Sequence, residues 1–168
     1  MSATDRCAIT YEALLEFTSE EQHRWHEWFV AHPTAWTVPF ATGRMATVGG
    51  VVLHIFAVEL RYVQRLRDEP VTEWDEFRQA SIEDVFELGD FARGQLVDFL
   101  TTAEESELDK ILTFKTLTAG SVTASKHKIA SNIFLHGIRH WAQIATVLRR
   151  NSFTEQWPHD MLLSTVAI

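Results

Sequence analysis

A chain of 168 residues with 46% apolar and 23% charged side chains has the size and balance of one globular domain, spanning 1–168, with a substantial core. Its net charge of −8, with no basic run, speaks against binding nucleic-acid phosphates or an anionic membrane surface. A single cysteine, Cys7, excludes a disulfide framework. With neither a leader pattern nor an 18-residue apolar run, the expectation is a reduced, cytoplasmic protein.

The first helical segment runs from roughly residue 9 to 31, where Tyr11, Leu14, Leu15, Thr18, Gln22, Trp25 and Phe29 trace one stripe. Pro33 and Pro39 then mark residues 33–43 as a loop. A second helix is expected over about 44–67, with Val48, Val51, Ile55, Val58 and Tyr62 spaced by three and four. It stops before Asp68-Glu69-Pro70, because proline disfavours helix in the residue ahead of it.

Residues 70–80 read as a linker carrying Trp74 and Phe77. A third helix opens at Ser81, whose hydroxyl can cap it together with Asp84 three residues on. Its apolar line is Ile82, Val85, Leu88, Ala92, Leu96 and Phe99, followed by a polar, acidic stretch over 101–107. Residues 110–118 are rich in β-branched and aromatic side chains. They read as a short strand that turns at Ala119-Gly120 and returns through 121–123. A lone hairpin is marginal, so this one should lie against the helices.

Ser125 is the expected N-cap of a fourth helix over 126–150, and Asn151 the residue that closes it in the left-handed conformation. In the tail, Trp157 and the apolar residues 161–163 are expected to dock on the body. Four helices with one long central linker and a hairpin before the last helix make an all-α chain, a four-helix bundle. Such bundles build metal sites from side chains on facing helices.

The last helix carries His136 and His140 on its apolar stripe, Ile129, Ile133, His136, His140, Ile144 and Val147. Residues four apart are neighbours on one helix face, so these two imidazoles can share a metal ion. Two uncompensated imidazoles would be costly to bury on a core face. His54 borders the bundle side of the second helix, and all three histidines lie near the middle of their helices. A divalent ion on His54, His136 and His140 would be Zn, Ni, Cu or Fe(II). Three protein ligands would leave positions open for water or substrate, the pattern of a catalytic site. The bland alternative is a core whose histidines merely hydrogen-bond.

The remaining candidates have ordinary readings beside functional ones. His23 and His26 lie on an exposed-looking, Glu-rich face, and His32 suits a helix end, where a cation meets the dipole. His127 and His159 have no partner at ligand spacing. Glu59 and Gln143 could support the histidines or bond elsewhere, while Arg61 could meet an anionic substrate or reach out to solvent. Trp25, Trp36 and Trp141 are candidate pocket walls.

The segments GGVVLHIFAVELRYVQRL over 49–66 and NIFLHGIRHWAQIATVLRR over 132–150 resemble the DinB/YfiT-like family of metal-binding four-helix bundles. The second matches the family pattern of a histidine, three residues, then a histidine with a glutamine three further on. Many members have His-Arg-Gly-Gln there, whereas this chain has His140-Trp141-Ala142-Gln143, so any role tied to that arginine is lost. The resemblance implies an up-down-down-up bundle, a divalent ion on His54, His136 and His140, and a homodimer. It also implies chemistry on a small-molecule substrate with a low-molecular-weight thiol such as bacillithiol or mycothiol, activated by the ion.

Two functions of different class follow. One is a metal-dependent enzyme, with thiol S-transfer to an electrophile preferred over hydrolysis. The other is a non-enzymatic metal-binding or stress-response protein, kept open because no intrahelical HExxH glutamate accompanies the ligands.

Overall fold

In the computed structural model, residues 9–42, 45–78, 81–116 and 119–166 are described; Cys7, Gly43, Arg44, Leu117 and Thr118 lie outside them. Helix α1 (Tyr11–Ala31) starts where the Thr10 hydroxyl accepts from the Ala13 N–H at 3.1 Å, and it ends just ahead of His32-Pro33. The expected loop over 33–43 is more ordered than proline content suggests. Pro33–Thr37 is a 3-10 turn, and β1 (Pro39–Thr42) pairs antiparallel with β2 (Met45–Thr47). Strand pairing therefore delays the second helix, α2 (Val48–Leu66), past the expected start at 44. Thr47 ends the strand and caps the helix, accepting from the Gly50 N–H at 3.2 Å. Gly49 is required at that corner, because a Cβ there would stand 2.4 Å from the Trp36 indole.

Helix α3 (Ile82–Thr102) opens with the expected box. Ser81 Oγ accepts from the Asp84 N–H at 3.1 Å, and Asp84 Oδ2 accepts from the Ser81 N–H at 3.1 Å. The acidic stretch after it is partly helical, since α3 runs through Thr102 and the single turn α4 (Glu105–Leu108) follows. β3 (Ile111–Thr116) pairs with β4 (Gly120–Ser125) from Ile111 opposite Ser125 to Thr116 opposite Gly120. Its Phe114 meets Tyr62 edge to face at 5.9 Å and lies under Arg65, which anchors this hairpin on α2.

Helix α5 (Lys126–Arg150) is capped by Ser125 as expected, with 3.2 Å to the Lys128 N–H. Its end corrects the reading of Asn151, which has φ −103° and donates from Nδ2 to the Val147 carbonyl. Ser152 instead takes the left-handed conformation at φ 65°. Lys126 is wholly buried; its ammonium donates to the Leu66 carbonyl, Asp68 and Glu107, joining the end of α2 and α4 to the start of α5.

Contacts between helices give the direction of each. Gln22 donates to Asp90, and Arg93 reaches back to Thr18, so α1 and α3 are antiparallel. Phe56 faces Gly89 and Glu59 holds Arg93, so α2 and α3 run parallel. Leu66 meets Lys126 and Ile55 meets Gly137, making α2 and α5 antiparallel. Tyr11 bonds His127 while Trp25 stacks on Trp141, so α1 and α5 are parallel. The result is the expected up-down-down-up bundle. Gly89 lets α3 approach α2, since a Cβ there would lie 2.8 Å from the Phe56 ring.

Two apolar clusters fill the interior. One gathers Trp25, Phe29, Trp36, Phe56, Phe86, Trp141 and Ile144, and the other Val63, Leu66, Leu96, Phe99, Ile133 and Phe134. Trp25, Trp36 and Trp141 are thus core residues rather than pocket walls. The tail docks through Trp157, whose Nε1 donates to Glu21 and whose ring meets Trp25 at 5.0 Å. Leu162 and Leu163 instead point to solvent, at 92% and 61% exposure, because the tail is tied down through 155–159 rather than through its apolar triplet. Among the described residues, no helix is long and apolar enough to cross a membrane.

Candidate metal centre

His136 and His140 stand one turn apart on α5, between Ile133 of one core cluster and Trp141 of the other. His54 reaches them from the antiparallel α2, its ring 5.1 Å from each of theirs. Ring nitrogens of the three lie within 4.8 Å of one another, and the Nε2 atoms of His136 and His140 are 3.1 Å apart. Two nitrogens bound to one ion at about 2.0–2.1 Å stand about 3–3.4 Å apart, so this spacing suits shared ligation.

The electrostatics suit it as well. Burial, then the neighbouring His140 and Arg139, lower the pKa of His54 to about 4. Burial, then His140, His54 and Arg139, lower that of His136 to about 3. His140 is also lowered, chiefly by burial; Gln143 acts against this and Arg139 with it. The rings are therefore neutral at neutral pH, with lone pairs free for a cation. His140 Nδ1 and Gln143 Oε1 are both buried without a hydrogen bond of standard geometry. With His140 Nε2 on an ion, Nδ1 would carry the proton and need an acceptor, which Gln143 three residues on can supply. The donor set thus fits a divalent transition ion.

Trp74, in a 3-10 turn of the crossover (Trp74–Glu76), stacks on His54 at 5.9 Å with the planes 14° apart. The crossover is held over α2 by Thr72, which receives Gln64 Nε2 on its hydroxyl at 2.8 Å and gives its N–H to Gln64 Oε1 at 2.9 Å. Arg61 donates to the Thr72 carbonyl and lies 4.8 Å over the Trp74 ring. It braces the crossover. Glu59 turns elsewhere: it is buried and holds Arg93 through both carboxylate oxygens, at 2.8 and 3.1 Å. Of the two candidate supporting groups, Glu59 and Gln143, only Gln143 stands beside a ligand.

The other histidines find uses that spacing alone did not reveal. His23 is exposed beside Glu27, as expected. His26 is half-buried and stacks on Phe86 at 4.4 Å. His32 joins the Trp28 carbonyl through Nδ1, at the end of α1. His127 bonds Tyr11 and Glu105, and with Glu105 and Asp109 forms a second, more exposed group of ligand-type atoms. His159 sits between Glu21 and Glu155.

Trp74 and Arg139 were the neighbours missed by sequence reasoning. Arg139 had a faint signal, lying three residues after His136. Trp74 had only its presence as an aromatic in an acidic linker.

The family model described as the DinB superfamily matches residues 3–144, which hold His54, His136, His140 and Gln143. A search of curated proteins finds no matching relative.

Proposed function

From membership of the DinB superfamily, to which this chain belongs, we propose that His54, His136 and His140 hold a divalent ion for a metal-dependent reaction, thiol S-transfer before hydrolysis. The single observation that carries this reading is the set of three neutral imidazoles from two antiparallel helices, their nitrogens within 4.8 Å. When bound, the ion supplies Lewis acidity, which lowers the pKa of a thiol or water that it meets. Zn, Ni, Cu and Fe(II) all accept imidazole.

The chain's own residues do the rest. With an ion on His140 Nε2, Gln143 Oε1 would accept from Nδ1–H and so orient the ring, each atom being otherwise buried without a hydrogen bond. Trp74 packs on one face of His54 and limits the positions its ring can take. Surrounding apolar side chains keep all three rings neutral. The reading includes a small-molecule substrate, a thiol cofactor such as bacillithiol or mycothiol, a homodimer and a cytoplasmic setting.

A non-enzymatic metal-binding role is the second reading. Among the described residues no carboxylate belongs to the triad's cluster of ligand-type atoms, which keeps a role without general-base chemistry open. Metal analysis of protein purified without a histidine tag tests the shared premise, with near-stoichiometric divalent metal expected. Turnover of bacillithiol or mycothiol with a model electrophile then separates the readings. If His136→Ala lost its metal yet kept full turnover, metal-dependent catalysis would be wrong; metal without turnover would favour the second role.

A further inference from the structure

Arg24, Arg67, Arg93 and Arg149 each hold a carboxylate. Arg139 is exposed and, among the described residues, makes no ion pair or hydrogen bond. Its place on α5 puts it one residue before His140 and three after His136, within about 5–6 Å between Cβ atoms of the latter. Its charge acts on all three imidazoles.

Glu59, the buried carboxylate of α2, is spent on Arg93, and no acidic side chain among the described residues acts on the triad. Neutral ligands leave a divalent ion its whole charge, and the guanidinium adds another. The loaded site would be a concentrated positive spot on a chain of net charge −8. An isolated guanidinium beside a dication is unfavourable unless a third, negative partner arrives.

We propose that the substrate or cofactor taken at this site presents an anionic group to the open metal position, and that Arg139 pairs with that anion and sets the preference for it. This rests on the metal reading above and adds the charge class of the ligand.

The test uses full-length, tag-free protein loaded with cobalt(II), whose visible spectrum reports ligand exchange, titrated with azide as the anionic probe. Arg139→Ala and Arg139→Gln should bind azide roughly tenfold more weakly than wild type, and Arg139→Lys within a few-fold of it. Cobalt affinity should stay level or rise slightly in the first two, since a repelling charge is gone. Equal azide affinity in all four cobalt-loaded proteins would overturn this inference and leave the metal reading intact. A wild-type protein that takes up no cobalt would overturn the metal reading, and this inference with it.

Discussion

Histidine occupies two contrasting places in this bundle. On the seam of α2 and α5, three imidazoles face one another, an arginine charge and a glutamine. Against α1, His159 lies between the buried carboxylates of Glu21 and Glu155 and stacks on Trp25 at 5.6 Å. Burial works to lower the pKa in both places. On the seam no carboxylate among the described residues opposes it, and the rings stay neutral. At His159, hydrogen bonds and charge from Glu21, then Glu155, outweigh burial and raise the pKa. The same side chain, desolvated in both settings, offers lone pairs in one and holds its proton in the other. The sign of the neighbouring charge decides which.

The largest expected effect removes a member of the triad. His54→Ala should lose metal by more than the ~10–100-fold expected of an outer partner, read by isothermal titration, because two imidazoles on one helix remain. His159→Ala should leave metal affinity unchanged. If both variants bound metal alike, the distinction between the two histidine settings would fail.

Next is Glu21→Ala. Glu21 accepts from the indoles of Trp25 and Trp157 and from His159, so its loss strands buried donors. The cost should be about 3 kcal/mol by denaturant unfolding, with the tail at 155–159 released. Trp157 fluorescence would follow that release; an unchanged unfolding midpoint would show that the carboxylate does not pin the tail.

Smaller is Gln143→Ala, which should weaken metal binding by about 10–100-fold while leaving the unfolding free energy of metal-free protein within about 1 kcal/mol. Stability lost in equal measure would make Gln143 a packing residue rather than an orienting one.

The mildest test is pH, where the two settings have opposite sign. Below about 6.5 the unfolded chain takes up protons that His54 and His136 refuse until about 4 and 3. Metal-free protein should therefore lose stability as the pH falls from about 6.5 towards those values, and bound metal should oppose the loss. The His159 contribution is complete below about 6.5 and is lost as the pH rises through its elevated folded value. In His159→Gln only the alkaline loss should disappear from a profile of melting temperature against pH. A wild-type profile with no slope on either side would contradict both assignments.

Much of the fold was legible because it is local. Ser81 and Ser125 cap helices through hydroxyls three residues from the N–H they satisfy, and proline marks the end of α1 and the start of the crossover. The stripe through Ile129, Ile133, His136, His140 and Ile144 follows from the turn of one helix, so the His136 and His140 pair could be read directly. Less legible was the first hairpin, where β1 and β2 make a weak period of few residues. Ser152 rather than Asn151 adopts the positive φ, a choice made by chain geometry past the helix end and not by residue preference.

The sequence by itself determined the bundle class, the capped starts of α3 and α5 and the i, i+4 histidine pair, because each depends on residues within a turn or two. Only the tertiary structure decided which side chains meet across helices. Axial register of α2 on α5, where Ile55 meets Gly137, brings His54 level with the pair, and that of α2 on α3, where Gly89 meets Phe56, carries Glu59 to Arg93 instead. The same packing lays Trp74 on His54, leaves Arg139 without an ion pair among the described residues and closes Glu21 and Glu155 on His159. Those contacts join residues up to 138 positions apart, a separation at which helical periodicity carries no information.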